Sequence, residues 1–369
     1  MSNTPIPVLD LSPEINMLWN ELNSAFQDVL RSGHFIMGEH VLQFESQFAA
    51  YLGVKHAIGM NSGTDALVIG LRALGVNAGD EVITTPFSFF ATAEAISGIG
   101  AIPVFVDIDP LTFNIDVNQV EAAITPRTKA ILPVHLYGHA ADLDPLLELA
   151  QKYGLKLLED VAQSFSGGYK GRKLGTLGHA SAFSFFPSKN LGAYGDAGLL
   201  ATNDDDVAQM ARMLRVHGSL KKYHNEIVGY NSRMDTLQAA ILSVKLPHVD
   251  GFSEGRRRAA QTYNTLLQDV PGLVLPCEAS YATHVYHQYT MRVLDGKRDT
   301  VQKKLADAGI ATMIYYPVPI HKLPIYAALD FHLPQAEQAA GEVLSLPIWP
   351  QITPDIQERV VEALKTELE

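Results

Sequence analysis

Lys189 closes an aromatic, strand-like run, Ser184-Phe185-Phe186-Pro187-Ser188-Lys189-Asn190-Leu191-Gly192, and a glycine-rich segment with Gly195 and Gly198 follows. A lysine held at the end of a buried strand loses part of its preference for the charged form. Its neutral amine can then attack an aldehyde and form a Schiff base. Asp160 ends a second apolar run, Leu155-Lys156-Leu157-Leu158-Glu159, where a carboxylate can meet a ligand cation. Gln163, just beyond it, can present an amide to the same pocket. Taken singly, these are an ordinary strand-end lysine, a turn-capping aspartate and an unremarkable glutamine.

Two further segments bear on the chemistry. Asn61-Ser62-Gly63-Thr64-Asp65-Ala66-Leu67 joins a strand pattern to an amphipathic helix pattern. Gly63 allows close backbone approach, and the first free N–H groups of a helix attract a phosphate. A well-capped helix start is the plain alternative. In Phe87-Ser88-Phe89-Phe90-Ala91 a ring can cover a flat cofactor, although core packing is the default for phenylalanine. A phosphate-binding helix start, an aromatic ring, a strand-end aspartate and a lysine thus occur in that order. Pyridoxal 5'-phosphate requires this set: N–H donors for its phosphate, a stacking partner, a carboxylate for its pyridinium and a lysine for its aldehyde.

Positioning these groups is the work of a regular α/β framework. Strands are predicted at His56–Met60, Glu81–Thr85, Ile102–Asp107, Lys129–Val134, Leu155–Glu159, Ala180–Phe185 and Gly198–Thr202. Helical patterns separate several of them, so the expected core is a mostly parallel seven-stranded sheet covered on both faces. Such sheets hold ligands beyond the carboxyl ends of their strands. The stretch from Asp160 to Lys189 is long enough for a hairpin through Gly167–Gly178 and one more strand. A long helix is predicted over Arg233–Leu246, with Pro247 as its stop. The expected division is a large domain over 1–250, including the N-terminal segment, and a smaller C-terminal α+β domain over 251–369. Gln288–Val293 and Ala311–Tyr316 are the clearest strands of the second.

Composition narrows the class. The 369 residues are 47% hydrophobic and 18% charged, enough to bury one large core and append a smaller unit. A net charge of −12 with no basic stripe argues against nucleic acid or anionic membrane as partner. The longest basic run, Arg256-Arg257-Arg258, is expected on a solvated helix face. Cys277 is the only cysteine, which excludes an internal disulfide and a thiolate-rich metal site. No signal-peptide order or membrane-length apolar stretch is present, so a cytoplasmic protein is expected. His135 and His139 lack an accompanying ligand pattern; packing or hydrogen bonding is expected of them, and no metal.

Several ordered motifs together carry a resemblance that covers nearly the whole chain. They are Asn61-Ser62-Gly63-Thr64-Asp65-Ala66-Leu67, Glu159-Asp160-Val161-Ala162-Gln163-Ser164, Ser184-Phe185-Phe186-Pro187-Ser188-Lys189-Asn190 and Gly229-Tyr230-Asn231-Ser232-Arg233-Met234-Asp235. With these the chain resembles the sugar-nucleotide aminotransferases among the fold-type I, aspartate-aminotransferase-like enzymes. The resemblance implies that the large domain binds pyridoxal phosphate, with Lys189 as Schiff-base lysine and proton shuttle. It also implies that Asp160 keeps the pyridine nitrogen protonated, Gln163 contacts the ring hydroxyl and Phe89 stacks on the ring. Gly63, Thr64 and Ser184 would hold the phosphate, helped by Asn231 from a neighbouring subunit. A homodimer with shared active sites follows from the same resemblance.

The segment Gly192-Ala193-Tyr194-Gly195-Asp196-Ala197-Gly198 is similar to the branch acting on 3-keto sugars rather than the 4-keto branch. Tyr315-Tyr316-Pro317-Val318-Pro319-Ile320-His321 is similar to that branch's sugar-side segment, with the first tyrosine in place of a common histidine. Tyr194, Tyr315 and His321 from these segments, and Arg233 from the Gly229–Asp235 motif, are the expected sugar contacts. The implied reaction is ping-pong transfer from L-glutamate to a nucleotide-linked 3-keto hexose, with pyridoxamine 5'-phosphate between the halves. A UDP-3-keto-N-acetylhexosamine is slightly preferred over a dTDP-3-keto-6-deoxyhexose. The alternatives are a 4-keto-sugar aminotransferase, a sugar 3-dehydratase, against which Lys189 argues, and a cofactor-binding regulatory protein.

Overall fold

The computed structural model describes residues 4–368. Each of the seven predicted main-sheet strands is present, within two residues at either end. They are β1 (His56–Met60), β2 (Glu81–Thr84), β3 (Ile102–Phe105), β4 (Thr128–Leu132) and β5 (Lys156–Asp160), then β8 (Ala180–Ser184) and β9 (Gly198–Thr202). Between β5 and β8 the expected hairpin forms from β6 (Gly168–Tyr169) and β7 (Arg172–Lys173). The sheet order is β1-β9-β8-β5-β4-β2-β3. Only β9 runs against the rest, pairing antiparallel with both β1 and β8. The mixed, mostly parallel α/β class expected from the sequence is the observed one.

Near-continuous apolar strands make sense once both faces are covered. Along β5, Leu157 and Leu158 point to opposite sides because side chains alternate. Leu157 joins a core with Ile83, Ile131, Phe183 and Leu199, packed on Phe44 and Phe48 of the helix Glu39–Leu52. Leu158 joins the other core with Val82, Ala130 and Leu200, beneath the helices Gly63–Ala73 and Ala91–Gly98. The chain thus makes a helix–sheet–helix sandwich whose strand ends converge at Asp160 and Ser184.

A second, three-stranded antiparallel sheet lies further along: Leu273–Val274, Tyr289–Val293 and Val343–Leu346, with the middle one central. The N-terminal segment is tied to this part of the chain, outside the sheet, by an isolated Ile6–Ile310 bridge. The predicted long helix runs over Thr236–Lys245 and stops just before Pro247, which sits in the short 3₁₀ turn Leu246–His248 leading at once into the helix Val249–Leu267. Two expectations need correction. Ala311–Tyr316 is no strand. Only Met313 bridges, to Ser345, and Tyr316 adopts φ 64°, which breaks extension. Arg256 is buried rather than solvated, donating to the carbonyls of Tyr286 and His287, while Arg257 keeps a half-buried ion pair with Glu278 and Arg258 an exposed one with Glu254.

Candidate active site

Beyond the carboxyl ends of β1, β5 and β8 lies a cavity of about 510 Å³. Gly63, Thr64, Phe89, Asp160, Gln163, Ser184, Lys189 and Tyr315 all line it. The helix Gly63–Ala73 starts at its floor, with the Ser62 hydroxyl accepting the Asp65 N–H at 3.1 Å. The N–H groups of Gly63 and Thr64, in the first turn, have no carbonyl a turn earlier to bind. A Cβ on Gly63 would lie 2.6 Å from the Ser184 Cβ, and one on Gly198 would lie 2.2 Å from the Ser62 carbonyl oxygen. Glycine at both places lets this helix start sit directly on the ends of β8 and β9.

Asp160 is buried at the end of β5. It accepts from the Ala162 N–H at 3.1 Å and the Thr92 hydroxyl at 3.1 Å. Burial pushes its pKa up, and the Ala162 N–H, the Lys189 charge and the Thr92 hydroxyl only partly offset that. Thr92 is in turn 2.9 Å from the Ser88 hydroxyl. Lys189 follows the end of β8, its N–H bonded to the Phe186 carbonyl at 2.8 Å. The cavity leaves its side chain partly exposed, yet protein encloses it deeply enough for burial to push its pKa down to about 8, against the pull of Asp160. That makes the neutral amine accessible near neutral pH.

Behind Asp160, Glu159 points to the other face. It accepts from Gly175, Leu177 and Gly178 N–H groups at 2.6–2.8 Å and faces the His135 Nε2 at 3.1 Å. His135 Nδ1 accepts the Ala141 N–H at 3.0 Å, so its proton lies on Nε2 and donates to Glu159. His139 likewise accepts the Ala279 N–H at 3.0 Å. Both histidines have the hydrogen-bonding role expected of them.

The donor set fits pyridoxal phosphate. Two free N–H groups and the Ser184 hydroxyl line one cavity and supply the donors a phosphate needs, a buried carboxylate faces the same cavity, and Lys189 shares it. Phe89 is 62% exposed, with its ring lining the mouth. Gln163 has its Oε1 on the Tyr137 N–H at 2.9 Å and its Nε2 on the Tyr316 hydroxyl at 2.7 Å.

Residues 17–365 match the DegT/DnrJ/EryC1/StrS aminotransferase family. The chain belongs to that family. The resemblance read from its motifs is borne out, and the protein is a pyridoxal-phosphate-dependent aminotransferase of fold type I. A Geobacillus stearothermophilus relative named pleiotropic regulatory protein is 51% identical, over 97% of each chain. The UDP-N-acetyl-3-dehydro-alpha-D-glucosamine 3-aminotransferase of Acidithiobacillus ferrooxidans is 43% identical, over 99% of each. Among solved structures, S. venezuelae DesV in complex with a ketimine intermediate superposes with a TM-score of 0.96 at 43% identity, covering 99% of both chains.

Not every family motif residue reaches the cavity. Asn231 is exposed and accepts from Arg233 Nε at 3.0 Å; neither lines the cavity of its own chain. Tyr194 turns away to pack with Leu18, Ile241 and Phe252. His321 is buried against Glu337, at 3.2 Å, also outside the cavity. Conversely, Ser88, Thr92, Tyr316, His287 and Gln288 line it without having been singled out from sequence. Ser88 and Tyr316 sit inside segments that were, so their neighbours were the available signal. No helix among the described residues is long and apolar enough to cross a membrane.

Proposed function

We propose that this enzyme transfers the amino group of L-glutamate to the C3 ketone of a nucleotide-linked hexose, in two half-reactions. The carrying observation is the single cavity that holds Lys189, Asp160 and the free N–H groups of Gly63 and Thr64. Bound pyridoxal phosphate supplies an aldehyde that carries nitrogen and a ring that takes up the electron pair released at the substrate carbon. Gly63, Thr64 and Ser184 hold the phosphate, Phe89 and Gln163 fix the ring, and Asp160 keeps a proton on the ring nitrogen. Lys189 Nζ, easily deprotonated, anchors the aldehyde and moves a proton to and from the substrate carbon. Tyr315, in the cavity, contacts the sugar.

The same reading makes residues 1–250 the cofactor-binding domain and 251–369 the smaller one. It also makes the enzyme a homodimer, in which the exposed Asn231 reaches the neighbouring subunit's cavity. The name of the A. ferrooxidans relative supports a UDP-linked N-acetylhexosamine, with a dTDP-linked 6-deoxyhexose next. Ketosugars of both kinds, offered after glutamate loading, test the choice: the true acceptor is converted to its amine with one 2-oxoglutarate formed per turnover. Lys189→Ala should abolish turnover; full activity in that variant would sink the assignment. The Geobacillus relative's name favours a second reading, a cofactor-binding regulator. DNA binding with no 2-oxoglutarate formed from glutamate would support it.

A further inference from the structure

The loop that follows Lys189 is held by a buried charge cluster for which the proposed chemistry has no use. Lys245, at the end of the helix Thr236–Lys245, is 1% exposed. Its ammonium donates to the Gly192 carbonyl at 2.5 Å, approaches Glu14 Oε1 at 2.6 Å and lies 4.9 Å from the centre of the Tyr194 ring. The approach to Glu14 is off the hydrogen-bonding direction, so the contact is an ion pair rather than an aligned hydrogen bond. From the same helix, Gln238 accepts the Tyr194 N–H at 3.0 Å. This explains why Tyr194 faces away from the cavity.

The held loop is tightly folded onto the segment bearing Lys189. A Cβ on Gly192 would meet the Pro187 carbonyl oxygen at 2.4 Å, and the Ala193 N–H donates to the Phe185 carbonyl at 2.7 Å. Glu14 arrives from far away in sequence, on the short helix Ser12–Met17. Its flanking segment is fixed to the C-terminal part of the chain: Ile6 N–H donates to Gly309, and Ile348 N–H donates to Val8. Glu14 is also the acidic group that chiefly offsets the burial of Arg256, which grips the carbonyls beside His287. An ammonium at such depth persists only where acceptors and a counter-charge hold it.

We propose that Glu14 and Lys245 are positioning residues for the reaction: the N-terminal helix locks Gly192 and Tyr194, and through them the backbone that aims Lys189. This rests on the reading of Lys189 as the catalytic lysine. Neither residue lines the cavity, so both act at a distance: Lys245 through the loop, and Glu14 through the loop and through Arg256.

Hydrogen–deuterium exchange on the cofactor-loaded protein tests the lock. Glu14→Gln keeps the shape and removes the charge; Lys245→Met removes the cation and keeps most of the stem. In each, protection over Gly192–Gly198 is expected to fall about tenfold, and kcat by a similar factor, with KM for the amino donor unchanged, as for losing one contact to a charged group. Protection over Ile102–Phe105, at the far sheet edge, should hold in both variants. The double variant should match the worse single one, since either change opens the same lock. A merely structural cluster predicts otherwise: a lower Tm with wild-type loop protection and wild-type kcat, and that result overturns the proposal. Turnover in Lys189→Ala would overturn the site reading instead, while the exchange data would still report on the lock.

Discussion

Glu159 and Asp160 are adjacent carboxylates on one strand, both buried, and their surroundings are opposite. Strand alternation sends Glu159 to the face with the hairpin loop and Asp160 to the face with Thr92. Burial pushes Glu159 up, but His135 and the Gly178 and Gly175 N–H groups outweigh it and leave the carboxyl below its usual range. For Asp160 burial wins, because fewer donors meet it. A buried carboxylate with all its lone pairs answered is a fastener. One left partly unanswered beside a cavity stores interaction for a ligand, which the proposed function makes a pyridinium. Burial alone does not distinguish the two; the count of donors does.

The largest effect should come from the unanswered member. Asp160→Asn removes the charge proposed to meet the ring nitrogen, and kcat is expected to fall about 10³-fold, within the range for a lost acid–base partner. Stability should not fall with it. A carboxyl with a raised folded pKa costs the apoprotein stability once pH passes the unfolded value of about 3.9, and the amide relieves that cost. Steady-state rates and urea midpoints of the apoprotein at pH 7 check both halves. A kcat within tenfold of wild type would erase the distinction.

The fastener should fail in the reverse manner. Glu159→Gln leaves His135 and three backbone N–H groups facing one neutral oxygen, and about 3 kcal/mol of stability should be lost. The folded, loaded fraction should keep kcat within a few-fold. Glu159 has a lowered folded pKa, so its contribution is present above the unfolded value of about 4.3 and fades as pH falls through the folded one. The gap in urea midpoint between wild type and variant should therefore narrow on acidification. A gap that stays constant from pH 7 down to the acid transition would show that charge is not what Glu159 contributes.

The same pair shows what a sequence can disclose. Asp160 was legible only in company, because a phosphate-binding helix start, an aromatic ring and a lysine follow the order one cofactor requires, and the sheet was legible because strands buried on both faces are written as unbroken apolar runs. Glu159 was passed over: nothing in Leu157-Leu158-Glu159 says that the Gly175–Gly178 backbone returns to meet it. Tyr194 was misplaced for a similar reason, since the pull of Lys245 and Gln238 comes from a helix distant in the chain. Local pattern fixes which residues face inward. What they meet there is decided by segments far apart in sequence, and Thr92 is a case in point.

Thr92 gives the smallest and sharpest test. Its hydroxyl is the one side-chain hydrogen bond to Asp160 among the described residues, and Thr92→Val removes it with little change of shape. The variant moves Asp160 further from the condition of Glu159, so the carboxyl's pKa should rise again. The proposed role of Asp160 needs the ionised form, so the acid limb of the kcat profile should shift upward by about one unit, equivalent to about 1.4 kcal/mol. Rates on the plateau should change less. Ser88→Ala removes only the partner of that hydroxyl, at 2.9 Å, and should move the limb by a fraction of this. An unmoved limb in Thr92→Val would mean that donor count does not set the behaviour of Asp160, and the contrast with Glu159 would then have to rest on geometry alone.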